Sequence, residues 1–290
     1  MKIGLFATFM SPVATPQMIA RFARDAESIG VESLWLGEHV VLFDEMEFPY
    51  PGSKDGKIPV PTGGGMLDTV ASIGYMASQT EKLRFGTGIT LVPQRNPIYT
   101  AKEFSTLDWL THGRIDFGVG VGWCKEEVIA CGYSWEDRGA RCDEFLEVIK
   151  NLWTQEIASY EGEHISLPPC RLDPKPIQSP HIPMLIGGHS VPGLRRAARF
   201  GSGWYGFNLS PSATAVMLDR LDAELEKQNR SREDFEIVIT PLPNASSATI
   251  DEYRVLGVDR LVLHLGNQKP ERVEQRLSET ALFIEQAAQA

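Results

Sequence analysis

The sequence has few cysteines, and they form no pattern typical of a metal site or a disulfide framework. They stand at positions 124, 131, 142 and 170, without a Cys-x-x-Cys pair and without a histidine at zinc-finger spacing. Buried free thiols in a reducing compartment are therefore the expected state of these residues. The sequence predicts a cytoplasmic protein that binds no metal.

Long apolar runs and basic runs are also missing. No segment approaches the roughly 18 consecutive apolar residues of a membrane span, and residues 1–6 are too short for a signal-peptide core. The 28 basic and 38 acidic side chains give a formal net charge of -10, with no run of lysine or arginine. These absences argue against a membrane or a nucleic acid as a partner and leave a small molecule as the expected one.

Several familiar catalytic signatures do not occur. The chain has no Gly-x-Ser-x-Gly turn, no His-Glu-x-x-His and no Walker sequence. Asp68, Asp108 and Asp116 are scattered acids that are more typical of structural roles. A chain without an evident nucleophile or metal cage indicates a cofactor that brings its own chemistry.

The chain does contain a regular alternation of strand and helix signals. Eight short segments are predicted as strands, at 3–8, 33–37, 83–88, 115–121, 183–186, 203–207, 235–239 and 261–265. Helical patterns separate them, and one begins at the N-capping pair Asn96-Pro97 and closes at Gly113. This alternation predicts an α/β protein with one (β/α)₈ barrel domain over residues 1–290, with a doubly wound open sheet as the alternative.

Two segments interrupt the alternation. A loop rich in Pro and Gly, residues 40–65, is long for a βα connection, and loops of that length are often functional. A polar, Pro-rich insertion near residues 155–181 precedes the fifth predicted strand. We expect this insertion to lie over the barrel mouth.

Candidate site residues follow the ends of the predicted strands, where ligands bind in parallel α/β barrels. His39 comes just after the second strand, where it can hydrogen-bond a cofactor or exchange a proton near neutral pH. The alternative is a structural histidine whose hydrogen bonds are made within its own loop. Glycines at 86–88 and 118–122 let the backbone approach a planar ligand. Trp123 either lines a substrate pocket or caps the core.

A further candidate is the segment Gly187-Gly188-His189-Ser190, which precedes a helix. Backbone N–H groups at a helix N-terminus bind phosphate, and glycine permits a close approach. Arg195, Arg196 and Arg199 lie a turn or more into that helix, so we expect them to face solvent or neighbouring acids.

Together these segments resemble the bacterial luciferase-like monooxygenase superfamily, and more closely its branch of oxidoreductases that use the deazaflavin coenzyme F420. The resemblance covers nearly the whole chain. It rests on Leu-Gly-Glu-His at 36–39, Gly-Thr-Gly-Ile at 86–89, Arg-Asn-Pro at 95–97, His-Gly-Arg at 112–114, Gly-Val-Gly-Val-Gly-Trp at 118–123 and Ile-Gly-Gly-His-Ser at 186–190. Relatives that use flavin mononucleotide (FMN) carry similar stretches, so FMN stays the alternative cofactor.

The resemblance implies a flavin-like ring across the strand ends, with a non-prolyl cis peptide at Gly88–Ile89 and with His39 as the catalytic residue beside the ring. The cofactor-binding residues it implies are Glu38, His39, Thr87, Gly88, Ile89, Gly120, Gly187, Gly188 and Ser190. Some deazaflavin sugar-phosphate dehydrogenases carry a glutamate where this chain has Trp123. We therefore expect Trp123 to line a pocket for a small, apolar substrate.

The expected function is hydride transfer between F420 and such a substrate. An FMN-dependent monooxygenase is the alternative within the superfamily, and a non-catalytic flavin-binding protein is the alternative from another class. A homodimer through helices beside the early strands is also expected, because Phe104, Trp109 and Leu110 are not all expected to fit inside one subunit.

Overall fold

The computed structural model of the chain describes residues 1–50, 56, 60, 63–266 and 269–288. Much of the tip of the predicted 40–65 loop therefore lies outside the described residues. The strands are β1 (Lys2–Ala7), β2 (Ser33–Leu36), β3 (Arg84–Thr87), β4 (Thr90–Leu91), β5 (Ile115–Gly120), β6 (Ala158–Glu161), β7 (Ser166–Cys170), β8 (Met184–Gly187), β9 (Gly203–Leu209), β10 (Glu236–Pro241) and β11 (Arg260–His264). The helices are α1 (Pro16–Ser28), α2 (Thr69–Ala77), α3 (Pro97–Leu110), α4 (Lys125–Ala130), α5 (Arg138–Thr154), α6 (Val191–Phe200), α7 (Pro211–Glu226), α8 (Ile250–Val255) and α9 (Pro270–Ala288).

Eight of these strands close into a parallel barrel. Strand β1 pairs with β2 and β11, and the pairing continues through β10, β9, β8 and β5 until β5 meets β3. Each of the eight predicted strands corresponds to one barrel strand, with ends that differ by at most two residues. The predicted (β/α)₈ barrel is confirmed, and the open sheet is wrong because the β3–β5 pairing leaves no edge.

Local capping explains where the helices begin. The Asn96 side chain accepts hydrogen bonds from the N–H groups of Ile98 and Tyr99, and Pro97 occupies the first turn of α3. The predicted start of this helix is therefore confirmed. Gly113, at φ +80°, lies between α3 and β5 in the left-handed conformation that glycine adopts most readily.

Two apolar clusters form the core. The larger one fills the layer between the strands and the surrounding helices. The smaller one collects side chains from five different barrel strands, with Phe6, Ile89 and Phe207 packed against it: Trp35, Leu185, Tyr205, Val238 and Val262. The inside of the barrel is therefore packed with side chains below the ends of the strands and leaves no room for a ligand among them.

The amino end of the barrel is closed by charged side chains. Asp116 accepts from Arg260 Nη1 at 2.6 Å and from Arg84 Nη2 at 2.5 Å, and Arg260 Nη2 lies 2.9 Å from Glu236 Oε1. Asp68 lies elsewhere in the fold, where its side chain caps α2 by accepting from the N–H of Ala71 at 2.7 Å. The contacts of Asp116 and of Asp68 confirm the structural roles expected for these two aspartates.

The insertion does not lie over the mouth, and that prediction is wrong. Strands β6 and β7 form an antiparallel hairpin along α5, where Glu144 accepts from the N–H groups of Glu163 and His164 at 2.9 Å. The chain then runs to the amino end of the barrel, where Asp108 accepts from the N–H of Ile177 at 2.7 Å. The physical reason is that β8 is parallel to its neighbours, so the chain must enter it from the amino end.

The four cysteines differ in burial. Cys124 and Cys142 are buried free thiols, whereas Cys131 and Cys170 are half-buried, so full burial holds for two of the four.

Trp109 and Leu110 lie exposed on α3 while Phe104 is buried, and the homodimer expected from these residues stays a prediction. No helix in the described part of the chain is long and apolar enough to cross a membrane.

Candidate active site at the carboxyl end of the barrel

The glycine-rich ends of β3, β5 and β8 meet around one side chain, that of Ile89. A Cβ atom on Gly120 would lie 1.7 Å from Ile89 Cδ1, and a Cβ atom on Gly187 would lie 3.1 Å from Ile89 Cγ2. Ile89 thus occupies space that the two glycines leave open. The structure brings segments 86–89, 118–122 and 187–190 together on one rim.

The peptide bond between Gly88 and Ile89 is cis, as the resemblance implied. Thr87, just before it, is fully buried, and its hydroxyl donates to the carbonyl of Gly118 at 2.7 Å and accepts from the Thr90 hydroxyl at 2.9 Å. The Thr87 side chain therefore holds β3 against β5 and does not face the open rim.

His39 lies on the rim, paired with a buried carboxylate. Its Nδ1 lies 2.8 Å from Oε2 of Glu127, a residue of α4. The other oxygen of Glu127 accepts from the N–H of Val40 at 2.5 Å and of Val41 at 3.4 Å. One carboxylate thus holds both the histidine and the first residues of the loop that follows β2.

Glu38 points away from the rim and into the wall. It accepts from the N–H of Leu91 at 2.7 Å and forms an ion pair with Arg95. Burial raises the pKa of the Glu38 carboxyl, and the positive charge of Arg95 opposes that rise. Glu38 and the Arg-Asn-Pro motif therefore tie the end of β2 to the segment after β3.

An aromatic wall borders His39. The Trp123 ring lies 5.5 Å from the His39 ring and 5.3 Å from the Tyr50 ring. Farther out, Phe48 stacks on Trp135 at 5.8 Å. The described part of the 40–65 loop therefore folds against the region after β5.

The predicted phosphate-binding turn leads into α6. Gly188 has φ +121°, a conformation that strains any residue with a Cβ atom. Ser190 caps α6 by accepting from the N–H of Gly193 at 3.3 Å, which leaves its hydroxyl hydrogen able to donate to a ligand. The three arginines of the helix face acids as expected, with contacts Arg195–Glu224, Arg196–Asp143 and Arg199–Glu147.

Two rim residues were missed by the sequence reasoning. Glu127 carries no local signal, because a glutamate in a short helix is ordinary until its partner 88 positions away is known. His264 ends β11 much as His39 follows β2. Because ligands bind at the carboxyl ends of barrel strands, its position alone was sufficient to identify it as a candidate. Its Nε2 lies 2.7 Å from Asn208 Oδ1, and burial together with the charge of Arg276 lowers its pKa to about 4, so this ring is neutral near pH 7.

Two glycines of β5 give a direct test of this packing. A Cβ on Gly118 would lie 1.7 Å from the backbone oxygen of Thr87, whereas the one on Gly120 meets only the end of the Ile89 side chain. We expect Gly118→Ala to lower the free energy of unfolding by about 1–3 kcal/mol. Gly120→Ala should cost about 1 kcal/mol or less, because Ile89 can change rotamer. Urea unfolding of both variants measures the difference, and equal losses would contradict the described packing.

Comparison with known proteins agrees with the fold and the motifs. The profile of luciferase-like monooxygenases matches residues 1–286. An uncharacterized protein of Mycobacterium tuberculosis is 36% identical over 186 residues, which are 64% of this chain and 66% of that relative. The match thus spans slightly less than two thirds of that relative's length.

Relatives with described activities use two different cofactors. An F420-dependent glucose-6-phosphate dehydrogenase of Amycolatopsis mediterranei is 26% identical over 193 residues, covering 65% of this chain and 53% of the relative. An FMNH(2)-dependent dimethylsulfone monooxygenase of Pseudomonas putida is 36% identical over 133 residues, covering 45% and 36%.

A solved structure shares the fold over nearly its whole length. The F420-dependent secondary alcohol dehydrogenase in complex with an F420–acetone adduct superposes with a TM-score of 0.79 at 17% identity, covering 98% of each chain. With the matching profile over residues 1–286, the closed barrel and the rim motifs, the chain belongs to the luciferase-like monooxygenase family.

Proposed function

We propose that this protein is an oxidoreductase that transfers a hydride between coenzyme F420 and a small, apolar organic substrate. The observation that carries the proposal is that the segments with His39, Ile89 and Gly188 each follow the carboxyl end of a parallel barrel strand. The F420-dependent glucose-6-phosphate dehydrogenase of Amycolatopsis mediterranei, 26% identical over 193 residues, supports the choice of cofactor.

The rim fits a planar cofactor with a phosphate tail. Ile89 fills the space that Gly120 and Gly187 leave open, so its side chain would lie against one face of a flat ring. Gly188 and the Ser190 hydroxyl at the start of α6 would hold the phosphate. When bound there, the deazaflavin supplies a carbon that accepts or donates a hydride.

The residues of the chain supply the rest of the chemistry. Interconversion of an alcohol and a carbonyl moves one proton along with the hydride, and His39 would give or take that proton. Trp123 and Tyr50 would exclude water from one side of the substrate. Among the described residues beside this wall, Lys125 pairs with Glu47 at 2.7 Å and the Arg138 guanidinium lies 3.5 Å over the Trp135 ring, which supports an uncharged substrate.

An FMN-dependent monooxygenase is the second candidate, because the Pseudomonas putida relative that uses FMNH(2) is 36% identical over 133 residues. A non-catalytic flavin-binding protein is the third. The first two candidates differ in which cofactor binds more tightly, and the third differs from both in having no turnover.

Titration calorimetry with F420 and with FMN tests the proposal. We expect F420 to bind at least about 10-fold more tightly than FMN, a difference of about 1.4 kcal/mol. Tighter binding of FMN would favour the monooxygenase, and the absence of binding by both would refute the cofactor site. Tight F420 binding without oxidation or reduction of small alcohols and ketones would favour the non-catalytic protein.

The variant Gly188→Ala tests the phosphate turn within the same titration. Gly257→Ala is the matched control, because Gly257 has φ +78° in the turn between α8 and β11, at the opposite end of the barrel. Both variants should lose about 1–2 kcal/mol of stability through the left-handed backbone. Only Gly188→Ala should also weaken F420 binding, by about 10-fold or more. Equal affinities in the two variants would remove Gly188 from the proposed site.

A further inference from the structure

We propose that Glu127 is a positioning residue that keeps the His39 proton on Nδ1 and thereby leaves Nε2 as the atom that faces the ligand. The proposal deepens the function above, on which the catalytic meaning of Nε2 rests. The tautomer itself is a property of the protein without a cofactor, so the two proposals can fail separately.

The two oxygens of Glu127 have separate tasks. Oε1 accepts from the backbone N–H groups of Val40 at 2.5 Å and Val41 at 3.4 Å. Oε2 lies 2.8 Å from His39 Nδ1. The N–H groups of Val40 and Val41 can only donate, so Oε1 accepts, and the contact between Oε2 and Nδ1 holds one proton, which we place on Nδ1.

Burial makes this arrangement costly to change. The side chain of Glu127 is 1% exposed and that of His39 is 13% exposed. Water therefore cannot replace the histidine as a donor to Oε2, and an unpaired buried carboxylate oxygen costs about 1–3 kcal/mol or more. The Trp123 ring, nearly perpendicular to the His39 ring at 74°, restricts the imidazole from another side.

Nε2 is then the reactive nitrogen. Among the described residues no protein group is hydrogen-bonded to it, whereas Nδ1 has its partner. When an alcohol is oxidised, Nε2 would accept the O–H proton, and a deazaflavin held on the rim would take up the hydride from the C–H bond. In the opposite direction, Nε2 returns that proton to the oxygen of the carbonyl.

The chain offers a matched control one residue away. Glu126 stands on the same helix and binds the same loop, accepting from the N–H of Glu47 at 2.7 Å, and within the described part of the chain no hydrogen bond joins it to His39. Glu126→Gln therefore makes the same chemical change and disturbs the same loop. It leaves the Glu127–His39 pair in place.

The test variant is Glu127→Gln. Its amide has one oxygen and one NH₂ group, and the donors of Val40 and Val41 can only use the oxygen. The NH₂ group then points at Nδ1, which can accept only if the proton moves to Nε2. We expect ¹⁵N NMR of the cofactor-free protein to show the neutral His39 ring protonated on Nδ1 in the wild type and in Glu126→Gln, and on Nε2 in Glu127→Gln.

The signal of His39 is assigned by its loss in His39→Gln. A wild-type ring protonated on Nε2 would overturn the proposal, and this measurement does not depend on any Glu127 variant folding. An unchanged tautomer in Glu127→Gln would overturn it as well. With F420 and a substrate, Glu127→Gln should lower kcat by about 100-fold or more while KM stays within a few-fold. A changed tautomer together with wild-type turnover would refute the part of the proposal that makes Nε2 the proton-transferring atom.

Discussion

Replacement of Asp116 with asparagine is expected to lower the free energy of unfolding by about 3–5 kcal/mol. Asp116 and Arg260 have side chains that are each 2% exposed, and their closest N–O distance is 2.6 Å. The amide keeps the shape of the carboxyl group but removes its charge, so the buried guanidinium of Arg260 loses its nearest counter-charge. Urea unfolding at pH 7 measures the loss.

An exposed ion pair provides the control for Asp116. Arg171 and Glu156 lie 2.7 Å apart with side chains 55% and 83% exposed, so Glu156→Gln should cost less than about 1 kcal/mol. A loss in Asp116→Asn no larger than in this control would show that the amino-end cluster contributes little to stability.

The same substitution should alter the acid dependence of stability. Burial tends to raise the pKa of Asp116, but the charges of Arg260 and Arg84 outweigh burial and hold the pKa below its ordinary value. A carboxyl group with a lowered pKa stabilises the fold fully above its unfolded pKa, about 3.9, and loses that contribution as pH falls through its folded pKa. The difference in stability between wild type and Asp116→Asn should therefore narrow below about pH 4.

Replacement of His39 with alanine is expected to lower kcat by about 10²- to 10⁴-fold, with a much smaller effect on F420 affinity. The reason is that the proton which accompanies the hydride would have to come from water in a site that the Trp123 wall shields. Steady-state kinetics with F420 and a small alcohol or ketone, together with calorimetric binding, separates the two effects.

His164 serves as the matched control for His39. Its side chain is also 13% exposed and also lies beside a carboxylate, that of Asp137 at 3.4 Å, but it belongs to the hairpin outside the mouth. His164→Ala should keep the wild-type kcat. If His39→Ala also kept the wild-type kcat, His39 would not be the proton carrier, and that part of the proposed function would be wrong.

Much of the fold was predictable because barrel topology follows from local patterns. Strand β1 and the helix that begins at Pro97 are visible in apolar periodicity and in capping residues, which depend on near neighbours alone. The insertion shows where such reasoning ends. Nothing local to residues 155–181 indicates that Asp108 supplies the acceptor for the N–H of Ile177, 69 positions away.

At the site, the positions of the strands along the chain are enough to place the glycines at 86–88, 118–122 and 187–188 at one end of the barrel, because the carboxyl ends of parallel strands lie together. The surroundings of these glycines depend on the folded molecule: Ile89 lies in the gap beside Gly120, Thr87 and Glu38 are turned into the wall, and Glu127 lies against His39. Strand positions can be predicted because backbone pairing produces a pattern of apolar residues that repeats along the chain. The partner of a buried polar side chain depends on three-dimensional packing, which produces no repeating pattern in the sequence.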